Sequence, residues 1–231
     1  MQATYPAGDV REIATLLRGD VDAIRDWLER REGARIALYV VVIFAGAGLY
    51  GAAMGWWRAP QQAVFTAIKL PLVVLLTTLG NALLNGMLAP LLGLNLSFRQ
   101  ASVAILMSFA IASAILASFS PLVFFLVWNT PQTTAYSFTL LVQVLIIAYA
   151  GIMANLRLVQ LLERLSASRA VARRILFAWL AGNLFLGSQL SWILRPFVGS
   201  PGLPVQFLRD NAFQGSFYEA VLYALRHFFS A

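Results

Sequence analysis

Between Arg35 and Arg209 this chain carries a single carboxylate, Glu163, and most of that stretch consists of apolar runs of about twenty residues or more. A hydrocarbon core of about 30 Å is crossed by about 20 apolar residues in helical form, because each backbone N–H and C=O must find its partner inside the segment. The runs fall at about 36–56, 64–89, 101–128, 136–156 and 175–194. Read as spans, they predict an all-α, polytopic transmembrane helical bundle of about five helices over 36–195, with a cytosolic amphipathic tail at 1–35 and a Gly/Pro loop and interfacial helix at 196–231. The chain is 60% hydrophobic and 12% charged, where a soluble domain has about 45–50% and about 25%. A water-soluble core of this size could not cover so much apolar surface.

The net charge of +7 is unevenly placed. Residues 1–35 hold six Arg against seven acids, whereas from Ile36 onward eleven basic residues meet only Glu163, Asp210 and Glu219. The excess sits at the ends of apolar runs, where anionic headgroups lie. No basic stripe on a soluble face is present, so nucleic acid is not an expected partner. With the N-terminus inside and five spans, twelve of the seventeen Lys and Arg fall on the cytoplasmic side, leaving Arg58, Lys69, Arg195, Arg209 and Arg226 outside. That asymmetry predicts a cytoplasmic N-terminus and an outside C-terminus. No signal-peptide pattern opens the chain, so the first span is expected to remain. Arg outnumbers Lys so heavily, Lys69 being the lone lysine, that codon usage points to a GC-rich bacterial gene and hence an inner (cytoplasmic) membrane.

Both ends are amphipathic. Val10, Ile13, Leu16, Leu17, Val21, Ile24, Trp27 and Leu28 recur at helical spacing, with Asp9 placed to cap and Gly19-Asp20 placed to divide two helices. The tail is expected to lie on the membrane or the bundle, or to dock a partner. Phe217, Val221, Leu222, Leu225, Phe228 and Phe229 form a second apolar face, over about fourteen residues, too few to span and suited to the interface.

Within the spans the informative residues are small or neutral-polar. Ala47, Gly51 and Gly55 step by four in the first, and Ala110, Ala114 and Ser118 in the third. Such faces let helices approach closely, either within one chain or between copies or partners. Trp56 and Trp57 read as an interfacial aromatic belt. Lys69 is expected to snorkel to the interface. Pro71 belongs to a first turn or a kink, and Pro121 could kink the third span or turn it back into the membrane. Asn81, Asn85, Gln143, Asn155, Asn183 and Gln189 are expected to tie helices together. Alternatively, Lys69, Asn81, Asn85, Asn183, Gln189 and Arg195 line a polar pocket that takes an anionic lipid headgroup or solute.

Catalytic groups are missing from the pattern. There is no cysteine, and His227, the sole histidine, falls in the terminal amphipathic stretch. No span carries the Asp, Glu or His relay of an ion-coupled pump, no base is placed to activate a serine, and no metal-ligand spacing or phosphate loop occurs. No cofactor or metal is expected.

The segments Gly48-Leu49-Tyr50-Gly51, Ile68-Lys69-Leu70-Pro71 and Leu92-Gly93-Leu94-Asn95-Leu96-Ser97-Phe98-Arg99-Gln100, with Ser120-Pro121 after them, resemble the Yip1-like superfamily of small polytopic membrane proteins. The resemblance covers about Ala45 to Phe125. It implies about five spans after a cytosolic N-terminal region, and a membrane-organising role without catalysis. The small-residue faces, the amphipathic tail and the missing catalytic groups make the expected function a non-enzymatic scaffold or accessory subunit of a membrane complex, in contact with the bilayer and with a protein partner or second copy. The alternative is a passive channel or transporter for an anionic or lipid-like substrate.

Overall fold

The computed structural model describes residues 8–20, 23–24, 26–27, 33–91, 97–131, 136–165, 169–200, 202–220 and 222. Among them run α1 (Arg11–Arg18), α2 (Gly33–Trp56), α3 (Pro60–Leu91), α4 (Phe98–Asn129), α5 (Tyr136–Leu165) and α6 (Arg169–Ile193), with no strand. The last five are long and apolar enough to cross a membrane, so the chain is an all-α multi-pass bundle. Their order is the one the apolar runs predict, and the helices extend past the runs at most ends.

The centre of the bundle is α2, packed along both α3 and α4, with α5 against α4 and α6 against α3. Glycine permits this. A Cβ on Gly46 would collide with the Ser113 carbonyl of α4, and one on Gly51 or Gly55 would lie 2.5 or 2.6 Å from the Thr66 or Gln62 carbonyl oxygen of α3. The small-residue face of the first span is thus used within the chain. On the third span Ala110 is buried, Ala114 half-buried and Ser118 exposed.

Neither proline breaks its span. Pro71 lies well inside α3, which starts with Pro60, a residue whose fixed φ and missing N–H suit a first turn. α4 continues through Pro121 to Asn129 as one helix and does not turn back. A proline removes one N–H and crowds a carbonyl in the turn before it. In that turn the Ser118 hydroxyl donates to the Ile115 carbonyl (2.7 Å) and Ser120 to that of Leu116 (3.1 Å).

The N-terminal end of the bundle is closed by α1. Ile13, Leu16 and Ile24 join a core with Tyr39, Ile43, Leu158, Leu161 and Trp179. Glu12 and Arg35 are buried and paired in a two-pronged contact, Nε to Oε2 at 3.0 Å and Nη2 to Oε1 at 3.1 Å. Asp9 accepts from the Arg11 N–H (2.8 Å), and Gly19, at φ 77°, ends the helix in the left-handed conformation that favours glycine. Of the expected apolar face, Ile13, Leu16, Ile24 and Trp27 pack on the bundle, Val10 and Leu17 are exposed beside Arg11, Ala14 and Arg18, and Val21 and Leu28 lie outside the described residues.

Candidate functional site

The other end of the bundle gathers the ends of α2, α4 and α6 and the starts of α3 and α5. Trp57 is buried there against Tyr136, with ring centroids 5.7 Å apart, so it is a core residue and not part of a lipid-facing belt. Trp56 is exposed and clusters with Phe124 and Trp128.

The segment after Ile193 folds back over this end as a cap. Val198 enters the core beside Tyr50 and Val123, and Phe207 meets Phe65 edge to face at 5.4 Å. Gly199 has φ 83° and passes close to the Arg58 side chain, whose Nη2 donates to the Leu203 carbonyl at 3.2 Å. Ser200 donates to the Tyr136 hydroxyl at 3.3 Å.

Three residues on α3 hold the cap. Gln62, Thr66 and Lys69 stand at i, i+4 and i+7, so they share one helix face. All three are buried. Gln62 Nε2 reaches the carbonyls of Pro196 (2.9 Å) and Phe197 (2.8 Å). The Thr66 hydroxyl lies 2.7 Å from the Phe197 carbonyl and 2.8 Å from that of Gln62. Lys69 Nζ donates to the Pro196 carbonyl at 2.9 Å and sits over the rings of Phe207 (4.9 Å) and Phe65 (5.9 Å). Snorkelling is thus corrected. The ammonium does not emerge at the lipid–water boundary, because a folded loop covers it and supplies a carbonyl and two aromatic faces.

Arg195 lies beside this anchor, its guanidinium 3.7 Å over the Trp192 ring and its Nη1 donating to the Trp192 carbonyl at 2.6 Å. Burial first, and the charge of Arg209 second, lower its pKa from the ordinary guanidinium value. Gln62 and Thr66 were not among the expected site residues, and Arg209 was expected only as an outside basic residue. The stripe of the first two with Lys69 was visible in their spacing, but the carbonyls they meet lie more than 125 residues away.

Of the remaining residues of the expected polar pocket, Asn81 and Asn183 stand apart from this cluster. Asn81 Nδ2 donates to Asn183 Oδ1 at 2.6 Å and reaches the Trp179 carbonyl at 3.3 Å, tying α3 to α6. Asn81 is twelve residues from Lys69, about 18 Å along a helix rising about 1.5 Å per residue. Gln189 Oε1 accepts the Phe217 N–H at 3.2 Å and fixes the start of the C-terminal helical segment. The Asn85 side chain, His227 and most of the terminal amphipathic stretch lie outside the described residues. Gln143 accepts from the Tyr50 hydroxyl at 2.5 Å, joining α5 to α2, and Asn155 turns back to the Gly151 carbonyl of its own helix at 2.7 Å. Asn81 with Asn183, Gln189 and Gln143 therefore each tie one element to another, whereas Asn155 bonds within its own helix. Among the described residues no three His, Asp or Glu side chains converge in a way that could hold a metal.

Comparison with known proteins found no matching family model, no similar curated protein and no similar solved structure.

Proposed function

We propose that this chain is a non-enzymatic integral membrane protein, a scaffold or accessory subunit of a complex in a bacterial cytoplasmic membrane. The N-terminal helix lies on the cytoplasmic side and the cap outside. A Yip1-like, membrane-organising role is part of this reading. One contrast supports it. Asn81 and Gln143 pair with side chains of neighbouring spans, and Gln62, Thr66 and Lys69 with the cap, while the outer helices present large apolar side chains outward. α6 is buried within the chain over a smaller share of its length than α2, α3 or α4. Phe177, Leu184 and Phe185 are among its exposed residues. Site-specific photo-crosslinkers at these three positions in native membranes test the reading. One protein partner, or a second copy, crosslinked from α6 and retained in mild detergent is expected. Lipid adducts alone on a monomer would overturn it.

The meeting of Lys69, Arg195 and Arg209 at the cap favours a second reading, a passive pathway or pocket for an anionic solute or headgroup. Anion flux in proteoliposomes separates the two. The scaffold reading expects none above empty vesicles, and the second expects a flux that Lys69→Ala and Arg195→Ala abolish.

A further inference from the structure

The chain that leaves the cap turns back along α6, and its contacts descend in order. Arg195 Nη2 reaches the Asn211 carbonyl at 3.5 Å, and Trp192 Nε1 donates to that of Gln214 at 3.4 Å. Next, the Phe217 N–H donates to Gln189 Oε1 at 3.2 Å. Last, the Tyr218 hydroxyl donates to the Phe185 carbonyl at 3.0 Å and lies 2.7 Å from Ser188 Oγ, with its ring stacked on Phe185 at 5.5 Å. As the chain advances from 211 to 218, its partners retreat from 195 to 185. α6 ends at Ile193, so Phe185 stands about 12 Å of helix axis inside that end, at about 1.5 Å per residue. Half of a hydrocarbon core is about 15 Å. The lowest contact is therefore made well within the thickness of the membrane.

The descending stretch is apolar on its outer side. Phe213 is 81% exposed, and Phe217, Tyr218 and Leu222 are exposed as well. Between Asn211 and Leu222 the only charged residue is Glu219. Its carboxylate accepts the Ser216 N–H at 3.1 Å, and the Glu219 N–H donates to the Ser216 hydroxyl at 3.2 Å, so the charge is turned back to the start of the helical turn. Exposed aromatic side chains gathered in one stretch mark a surface that meets apolar material. Beside a membrane span, at the level of its last turns, that material is lipid. We propose that residues 211–222 form a wedge inserted in the leaflet on the cap's side, entering among the headgroups at Asn211 and reaching the acyl chains at Phe217 and Leu222. The bilayer is the partner of this surface, and Phe213, which lies outside the apolar face expected from helical spacing, is its first lipid contact. An interfacial apolar face sits about 5–10 Å below the headgroup boundary, and the ties to Gln189, Ser188 and Phe185 hold this one at such a depth. The wedge requires only that α6 crosses the membrane, whichever way the chain faces.

The native chain has no cysteine, so a nitroxide label is placed on Asn211→Cys, Phe213→Cys, Phe217→Cys and Leu222→Cys one at a time. Each full-length variant is reconstituted in nanodiscs of phosphatidylcholine and phosphatidylglycerol, which leave both membrane faces open. Power saturation then compares collisions with oxygen, which concentrates in lipid, and with a nickel chelate, which stays in water. Phe177→Cys, at an exposed position of α6 itself, supplies the lipid value. Nickel collisions should be high at 211, lower at 213, and several-fold lower at 217 and 222, near the value at 177. High nickel collisions at 217 or 222, or a value at 213 equal to that at 211, would overturn the wedge and leave a surface in water suited to a soluble partner. Low collisions at 211 as well would overturn the descent from the headgroups. The positions 213 and 222 flank Phe217 and read depth separately, so loss of one variant to misfolding leaves the others to decide.

Discussion

Two buried cations are held in opposite ways. Arg35 meets a carboxylate, Glu12, which is itself buried and also accepts the Gly8 N–H at 3.2 Å. Lys69 meets a backbone carbonyl and two rings. The difference governs what a substitution does. Removing one member of a buried ion pair leaves the other charge without its counterion in a poor solvent for it, at a cost of about 3–5 kcal/mol. Glu12→Ala is therefore expected to lower the thermal midpoint in detergent and to make the chain cleavable by trypsin after Arg11 and Arg18 as α1 lifts from the bundle and unfolds. Converting both residues, Glu12→Ala with Arg35→Met, should recover part of that loss, since no charge then remains to be desolvated. Equal stability of the single variant and the wild type would show that the pair does not hold α1. At this scale the sequence identified charges but not partners. Glu12 was one of seven acids in a near-neutral tail, and nothing in its spacing singled it out for Arg35.

Among the elements, glycines decide how closely the helices lie. Gly51 and Gly151 both sit in helices, yet a Cβ at Gly51 meets the Thr66 backbone while one at Gly151 meets nothing within 4 Å. Gly51→Ala should lower stability by about 1–3 kcal/mol, the range for overpacking a fitted interface. Gly151→Ala should leave it unchanged or raise it by up to about 1 kcal/mol, through helix propensity. Thermal unfolding of both variants in one detergent measures this. The pair also tests the cap, because α3 presents Gln62, Thr66 and Lys69 to it and its placement depends on contact with α2. The four-residue steps of Ala47, Gly51 and Gly55 made close packing legible from the sequence. They could not name the neighbour, since an identical stripe serves an intramolecular or an intermolecular contact. Pro121 was harder still. Proline in an apolar run permits either a break or a continued helix, and whether the preceding carbonyls find other donors is settled by local geometry.

For the whole molecule, five spans put α1 and the cap at opposite ends of the bundle. With the basic residues biased toward the α1 end, the N-terminal helix should lie in the cytoplasm. The native chain has no cysteine, so single cysteines at Arg11 and Asn211 report without background. An impermeant thiol reagent applied to intact cells should modify the cysteine at 211 and spare the one at 11. The reverse pattern would invert the topology, and labelling of both would contradict five spans.

What the sequence determined by itself was the solvent. Five apolar runs, nearly free of acids over more than 170 residues, can satisfy their backbone only as helices in a bilayer, and no tertiary information is needed to see it. It also determined the element order, because runs of about twenty residues separated by polar turns leave little freedom. Tertiary structure alone decided what the polar residues are for. To periodicity Asn81, Gln143 and Lys69 are all simply polar residues in apolar helices. One ties α3 to α6, one joins α5 to α2, and one grips a loop 127 residues away. A hydrogen bond is made between positions in space, and helical spacing carries the face a residue occupies but not the element that comes to meet it.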